Sequence, residues 1–330
     1  MIWLTWRQFR TPAIAAATAL ALIGGFLLWL GADLRSFYDA AVTGCTTECT
    51  DAAYRTLLTN EYGTKILLAG LLVMAAPGFV GALWGAPLIA REIETGTHRL
   101  AWTQSVTRRR WLTAKTAVVG GAALVFTAAL AGLLTWAAAP YDDLVDDRFT
   151  ALVFSARNLA PLGYAVLAFA IGLTAGLLAR RTLVAVTATM IAFLAVQLAA
   201  ATLLRPHYQE PVTEDMTLAE AEAAGDIDSF NVGEDGATLQ GLRLPGAWVV
   251  SDYMDVTDAS GDPITSDTIA DCDPGGPPGE CMSQFGAHFD VTYHPADRYW
   301  TFQWIELAGA LALAAVLLAL AYWRLPRGVN

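Results

Sequence analysis

The sequence predicts an all-α polytopic membrane protein: six transmembrane helices, a short cytoplasmic helix between spans two and three, and a small mixed α/β extracellular domain between spans five and six. Three observations predict it. Of the 330 residues, 55% are hydrophobic and only 15% charged, against roughly 25% charged in soluble domains. The apolar residues gather into six blocks, at 13–32, 66–90, 116–138, 160–179, 183–204 and 302–323. Each is close to the roughly 20 helical residues that cross a hydrocarbon core of about 30 Å. Charge between the blocks is sharply sorted by sign. Backbone polar groups cannot stay unpaired in lipid, so each block reads as a helix, and no regular apolar–polar alternation suggests a β-barrel.

The sorting of charge sets the topology. Arg7 and Arg10 precede the first span; Arg91, Arg99, Arg108, Arg109, Arg110 and Lys115 follow the second. Arg180 and Arg181 separate the fourth and fifth, and Arg324 and Arg327 follow the sixth. These are twelve of the 20 lysines and arginines, and the same short segments hold only Glu92 and Glu94 of the 31 acidic residues. By the positive-inside rule these segments and both termini are cytoplasmic, in a multi-pass protein of the cell membrane. The formal charge of −11 is therefore the sum of a basic inner side and an acidic outer side.

Taken in order, residues 1–12 form an amphipathic stretch with Trp3, Trp6 and Arg10 near one face. It is expected to lie in the inner interface until Pro12 turns the chain into the first span. That span reads as an uncleaved anchor: it is longer than a signal-peptide h-region, and Gly31-Ala32-Asp33 is a poor cleavage site. The second span carries Pro77, Gly78, Gly81, Gly85 and Pro87. Gly81 and Gly85 offer a small-residue face for close helix contact, repeated by Gly172 and Gly176 in the fourth span, and the prolines are expected to kink the helix. Plain packing and a gating role both fit these positions.

In the basic loop 91–115, Gly96 is expected to end the second helix. Thr97 is placed to cap a short helix from His98 to about Gln104, and Thr107 to cap the third span. Such a helix, held between two spans, is a mechanical handle; a solvated connector obeying the positive-inside rule is the simpler alternative. Arg180-Arg181 leaves room only for a tight hairpin between spans four and five. In 205–301 a short helix capped by Thr217 runs to Ala224. Leu244 to Val250 and Phe289 to Tyr293 read as turn and strand. Cys45, Cys49, Cys272 and Cys281 all fall in predicted outer segments and read as disulfides. Pairing Cys45 with Cys49 and Cys272 with Cys281 is the simplest connectivity; zinc is the rival, with no common ligand spacing to support it.

Little else carries chemistry. There is no Walker A pattern, dinucleotide fingerprint, HExxH or nucleophile elbow. His288, Asp290 and His294 share one face of a strand but are a weak metal set. Glu306 is the one acid inside an apolar span. Intramembrane acids suggest function, yet its place near the outer edge favours an interfacial, snorkelling role beside Gln303 and Trp304 over substrate contact. No catalytic, cofactor-binding or metal residue is assigned.

Glu92-x-Glu94-x-Gly96-Thr97, then Leu100, Ser105-Val106-Thr107-Arg108 and Lys115, resemble the cytoplasmic loop of ABC-2 type transporter permeases, in particular the six-span permeases of actinobacteria. Trp3-Leu4-Thr5-Trp6-Arg7-Gln8, Trp84-Gly85-Ala86-Pro87-Leu88, Arg180-Arg181-Thr182-Leu183 and Tyr299-Trp300-Thr301-Phe302-Gln303-Trp304 echo the same pattern. Residues 205–290 match it loosely. Ser105 stands where broader members often carry proline, and close relatives often carry one near Val184; neither difference removes a charge.

The resemblance implies a permease subunit of an ATP-driven exporter, with ATP and Mg bound by a separate ATPase chain. It makes the loop a coupling helix, with Glu92, Glu94, Gly96, Thr97, His98, Arg99 and Arg108 to Arg110 making or orienting the docking contact. The amphipathic N-terminus becomes an interfacial connecting helix. A second permease chain and the lipid bilayer are further partners, and no nucleic acid is expected. A membrane sensor with an acidic extracellular ligand-binding domain is the alternative; an intramembrane enzyme ranks below both for want of a clustered acid, base or nucleophile.

Overall fold

The computed structural model describes residues 2–42, 55–57, 59–60, 62–97, 107–268 and 284–328. Among them are six helices long and apolar enough to cross a membrane. The first is Ile2–Val42. The second joins Tyr62–Val80, a π turn at Gly81–Gly85, and Ala86–Glu94. The third is Arg108–Val145 and the fourth Ala160–Ala179. The fifth, Thr182–Ala199, continues through a π turn at Ala200–Leu204 and a 3-10 turn at Arg205–His207; the sixth is Tyr299–Gly328. Every apolar block of the sequence lies inside one of these helices. The chain divides into two compact units, one of Met1–Leu144, Ala151–Arg205 and Phe302–Asn330, the other of Val145–Thr150 and Pro206–Thr301.

One boundary differs from the sequence reading. The first helix is continuous through Pro12 and does not turn there. Proline removes a single N–H, which leaves one carbonyl near the polar end of the helix without its usual donor. The packed face runs straight past it, from buried Thr5 and Phe9 to Leu27, Leu30 and Leu34.

The helical unit is organised around the fourth span, the most enclosed of the six. Tyr164, Ala165, Ala168 and Leu173 are buried along it. Its glycines interlock with those of the second span. A methyl group on Gly81 would overlap the Ala168 carbonyl, one on Gly172 the Gly81 carbonyl, and one on Gly176 the Ala86 carbonyl. The two small-residue faces legible in the sequence therefore meet, and they let backbone rest on backbone. Side-chain bonds tie in the remaining spans: Gln197 donates to Met74 O (3.2 Å), Thr174 to Leu317 O (3.1 Å), and Arg35 to Trp136 O (2.5 Å).

The second unit holds two antiparallel three-stranded sheets, built from β1 Val212–Thr217, β2 Asp226–Val232, β3 Ala237–Arg243, β4 Trp248–Val249, β5 Tyr253–Val256 and β6 His288–His294. Their orders are β1-β6-β4 and β2-β3-β5, and a bridge between Thr257 and His288 links them. Leu239, Leu242, Met254, Val256, Phe289 and Val291 share one core with Leu218 and Ala221 of the helix Leu218–Ala224. That helix carries a full capping box. Thr217 Oγ1 accepts from Glu220 N–H, and Glu220 accepts from Thr217 N–H (2.9 Å), which holds the Glu220 carboxyl below its usual range. Phe149 stacks on Trp248 (6.0 Å), so Val145–Thr150 packs with this unit.

His294 is fully buried. Its Nε2–H donates to Pro206 O (3.2 Å), and Nδ1 accepts from Arg298 (3.2 Å). Burial holds its pKa below the ordinary value, the Pro206 bond opposes this, and the Arg298 charge reinforces it.

Two predictions follow from this packing. Gly172→Leu is expected to destabilise the helical unit by about 1–3 kcal/mol through overpacking. Gly121→Ala, where a methyl meets nothing within 4 Å, is expected to be neutral or stabilising; thermal unfolding in detergent checks both. For His294, the unfolded chain takes up a proton near pH 6.5 while the folded unit resists until lower pH. Stability is then present above about 6.5 and lost as pH falls through it. Hydrogen exchange across 288–294 in the full chain, corrected for intrinsic rates, is expected to quicken from pH 7.5 to 5.5, and His294→Gln to flatten that dependence.

Candidate functional site

The loop end of the second span carries two carboxylates, and both are engaged by neighbouring spans. Glu92 Oε1 receives Lys115 Nζ of the third span (2.5 Å) and Gln8 Nε2 of the first (2.9 Å). Lys115 is 3% exposed and also reaches Gln8 Oε1 (3.3 Å). The Gln8 amide thus donates to the acid and accepts from the base, so one buried ion pair joins three spans. A buried charge is tolerated only when paired and hydrogen-bonded, and here both conditions are met.

Glu94 is exposed but engaged. Its Oε2 accepts from Thr182 N–H (2.9 Å) and Thr182 Oγ1 (2.7 Å) at the start of the fifth span. The first turn of a helix has N–H groups without partners, and the residue at this cap, Arg181, makes no side-chain capping bond. Glu94 supplies the acceptor from another span, with a charge suited to a helix N-terminus. The hairpin that presents Thr182 turns at Arg180, whose φ of 55° lies in the left-handed region.

Beyond Glu94 the helix ends as expected. Gly96 takes φ 73° with open space around it, and its N–H donates to Ile93 O (3.2 Å). Only glycine adopts that conformation without strain. Thr95 Oγ1 donates to Arg91 O (2.8 Å) and lies 3.0 Å from Thr97 Oγ1. On the far side of the loop, Thr107 Oγ1 accepts from Arg110 N–H (3.3 Å), the predicted cap of the third span, where Arg109 and Arg110 are exposed. His98, Arg99 and the expected helix over 98–104 lie outside the described residues, as do Cys45, Cys49, Cys272 and Cys281.

The five proline and glycine positions of the second span do not share one fate. Pro77 sits within the unbroken helix Tyr62–Val80, and Gly78 faces Phe193, whose ring a methyl would approach to 2.6 Å. Gly81 and Gly85 bound the π turn, and Pro87 follows in the first turn of Ala86–Glu94. Ala86 N–H reaches back to Gly81 O, the i to i−5 bond of a π turn. A proline ring crowds the carbonyl four residues before it, and widening the preceding turn relieves that crowding.

Glu306 is the intramembrane acid, and it does not snorkel. It is 5% exposed and bound two-fold by Arg205, with Nε to Oε2 at 3.1 Å and Nη2 to Oε1 at 2.9 Å. Tyr164 OH donates to the same carboxylate (2.6 Å), and Arg205 also donates to Ser155 Oγ (3.0 Å) and lies over Phe154 at 4.1 Å. One turn away, Gln303 Oε1 accepts from Leu159 N–H (3.1 Å) and Ala160 N–H (2.9 Å) and caps the fourth span. Charge counting places Arg205 among the outer residues. The sequence signal for it is the lone acid at 306, which in a membrane segment calls for a cation.

No three metal-binding side chains converge among the described residues, and both His294 nitrogens are already engaged. The family described as ABC-2 membrane transporter related matches residues 17–205, more than half of the chain. No curated protein and no solved structure matches it.

The buried pair generates a further prediction. Arg205→Met alone strands Glu306 without its counter-ion and is expected to cost about 3–5 kcal/mol. The double variant Arg205→Met/Glu306→Leu is expected to be less destabilised than the sum of its parts, as measured by thermal unfolding of all three in one detergent.

Proposed function

We propose, from the premise that this chain belongs to the ABC-2 membrane transporter related family, that its basic loop couples ATP hydrolysis in a separate subunit to export of an amphipathic substrate. The chain is a multi-pass permease subunit. The reading adds that ATP and Mg are handled by a partner ATPase, that two permease chains enclose one pathway, and that the basic segments and both termini face that ATPase in the cytoplasm. The 206–301 unit, inserted between the fifth and sixth spans, then lies on the extracellular side.

One observation supports this reading above the rest: the start of the loop is wired to three further spans within three residues. Glu92 engages the first and third spans, and Glu94 engages the fifth at the fourth–fifth hairpin. A displacement of Thr95-Gly96-Thr97 therefore reaches most of the bundle through charge-assisted bonds, which are short and stiff. The π turn at Gly81–Gly85, seated on the fourth span, is the irregular element to which this reading assigns the change of packing. In this reading Glu92 and Glu94 orient the loop, while Thr97, His98, Arg99 and Arg108 to Arg110 make the docking contact.

The test is ATPase coupling in the reconstituted transporter. Glu94→Arg is expected to leave the complex assembled but to lower permease-stimulated ATP hydrolysis by about ten-fold, equivalent to about 1.4 kcal/mol of coupling. Thr182→Ala is expected to have a smaller effect of the same kind, and Thr182→Ser to restore wild-type behaviour. Purification of a stable, functional chain with no associated ATPase contradicts the reading.

A further inference from the structure

Between the first, second and third spans lies a cavity of about 400 Å³. Pro12, Ala16 and Ile23 line it from the first span, Val80 and Trp84 from the second and Leu130 from the third; every lining residue is apolar. Its lining positions advance along one helix while they retreat along its antiparallel neighbour, so the cavity is a slot parallel to the spans. Pro12 to Ile23 corresponds to roughly 16 Å of helical rise. Spread over that length, the volume leaves room about as wide as one hydrocarbon chain. One side is open, since Ala15, Phe79 and Leu83 belong to the lining and are exposed.

The two ends of the slot differ. At the Trp84 end it is closed by an aromatic group, with Trp84 5.0 Å from Phe9 and 5.7 Å from Phe126. Beyond that group the exposed charge is cationic. Arg91 lies two helical turns past Trp84 on the same face and is exposed; Arg10 sits on the other face of the first helix, with Trp6. The acids nearby are already committed, Glu92 to Lys115 and Glu94 to Thr182. A dry slot open to the bilayer gains dispersion contacts when a chain fills it, and its cationic end complements a negative headgroup.

We propose that this slot is a lipid site that takes one acyl chain of an anionic phospholipid from the surrounding bilayer, with the phosphate held by Arg91. The site stands on the spans and the slot alone and does not depend on ATPase coupling.

The experiment is native mass spectrometry of the full chain in detergent, titrated with dioleoyl phosphatidylglycerol or dioleoyl phosphatidylcholine. Wild type is expected to retain one phosphatidylglycerol in preference to phosphatidylcholine. Ala76→Phe, which fills the slot, and Ala15→Trp, which closes its mouth and leaves the core untouched, are each expected to lower that retention about ten-fold or more. Arg91→Gln is expected to erase the preference between the two lipids while neutral lipid still binds. Leu183→Trp, exposed on the fifth span, which contributes nothing to the lining, is expected to change nothing. Equal retention by wild type and a correctly folded Ala15→Trp overturns the proposal, as does an absence of preference in wild type. Efficient cross-linking of Ala15→Cys between two lipid-free copies also overturns it, because a second chain then covers the slot.

Discussion

The closest approach in the helical unit is between the second and fourth spans, where Gly81, Gly172 and Gly176 bring carbonyls and Cα atoms into direct contact. In lipid, hydrophobic burial does not drive helices together, so packing density and small residues carry the association. Any Cβ at these positions would push the two spans apart, and with them the groups they position. The Glu94–Thr182 cap, the Glu92–Lys115–Gln8 bridge and the π turn all hang on that contact. It also explains why the fourth span, with no charged residue along its length, is the most enclosed of the six.

Around that contact, polar groups are satisfied by other spans rather than by solvent. Gln303 caps the fourth span, Glu94 caps the fifth, and Arg205 answers Glu306 with support from Tyr164 and Ser155. Each joins segments far apart in the chain, and those at Gln303 and Glu306 replace water that the hydrocarbon cannot supply. The outcome is a bundle whose two ends are pinned by different chemistry. The Glu306 end is held by a buried, hydrogen-bonded ion pair. The loop end is held by carboxylates at the last turn of one helix, reaching the first turn of another.

Much of this is legible in residue order. The six helices follow from block length, the fourth–fifth hairpin from Arg180-Arg181, and the caps at Thr107 and Thr217 from residue type beside an apolar or helical run. The Gly96 stop follows from the one residue that accepts φ 73° freely. Less is legible in the 206–301 unit. β1 reads Val-Thr-Glu-Asp-Met-Thr, with almost no apolar alternation, because it is exposed over most of its length; β3 and β5 do alternate, but over seven and four residues. The engagement of Glu92 and Glu94 by neighbouring spans is hidden for another reason. A carboxylate at a helix end reads the same whether it faces a partner protein or a neighbouring helix.

Alone, the sequence determined that six helices are long and apolar enough to cross a membrane, where the apolar core of each lies, and which connections are basic. Those are local properties: backbone in lipid must bond within its own segment, and length and flanking charge are read directly. Tertiary structure decided which exceptional residues meet. Arg205 and Glu306 are 101 positions apart, and whether each reaches for water or for the other depends on how spans four, five and six pack. The basic loop likewise changes meaning with the fold. In sequence it orients the chain, and in three dimensions the residues just before it, Glu92 and Glu94, are braced against three other spans.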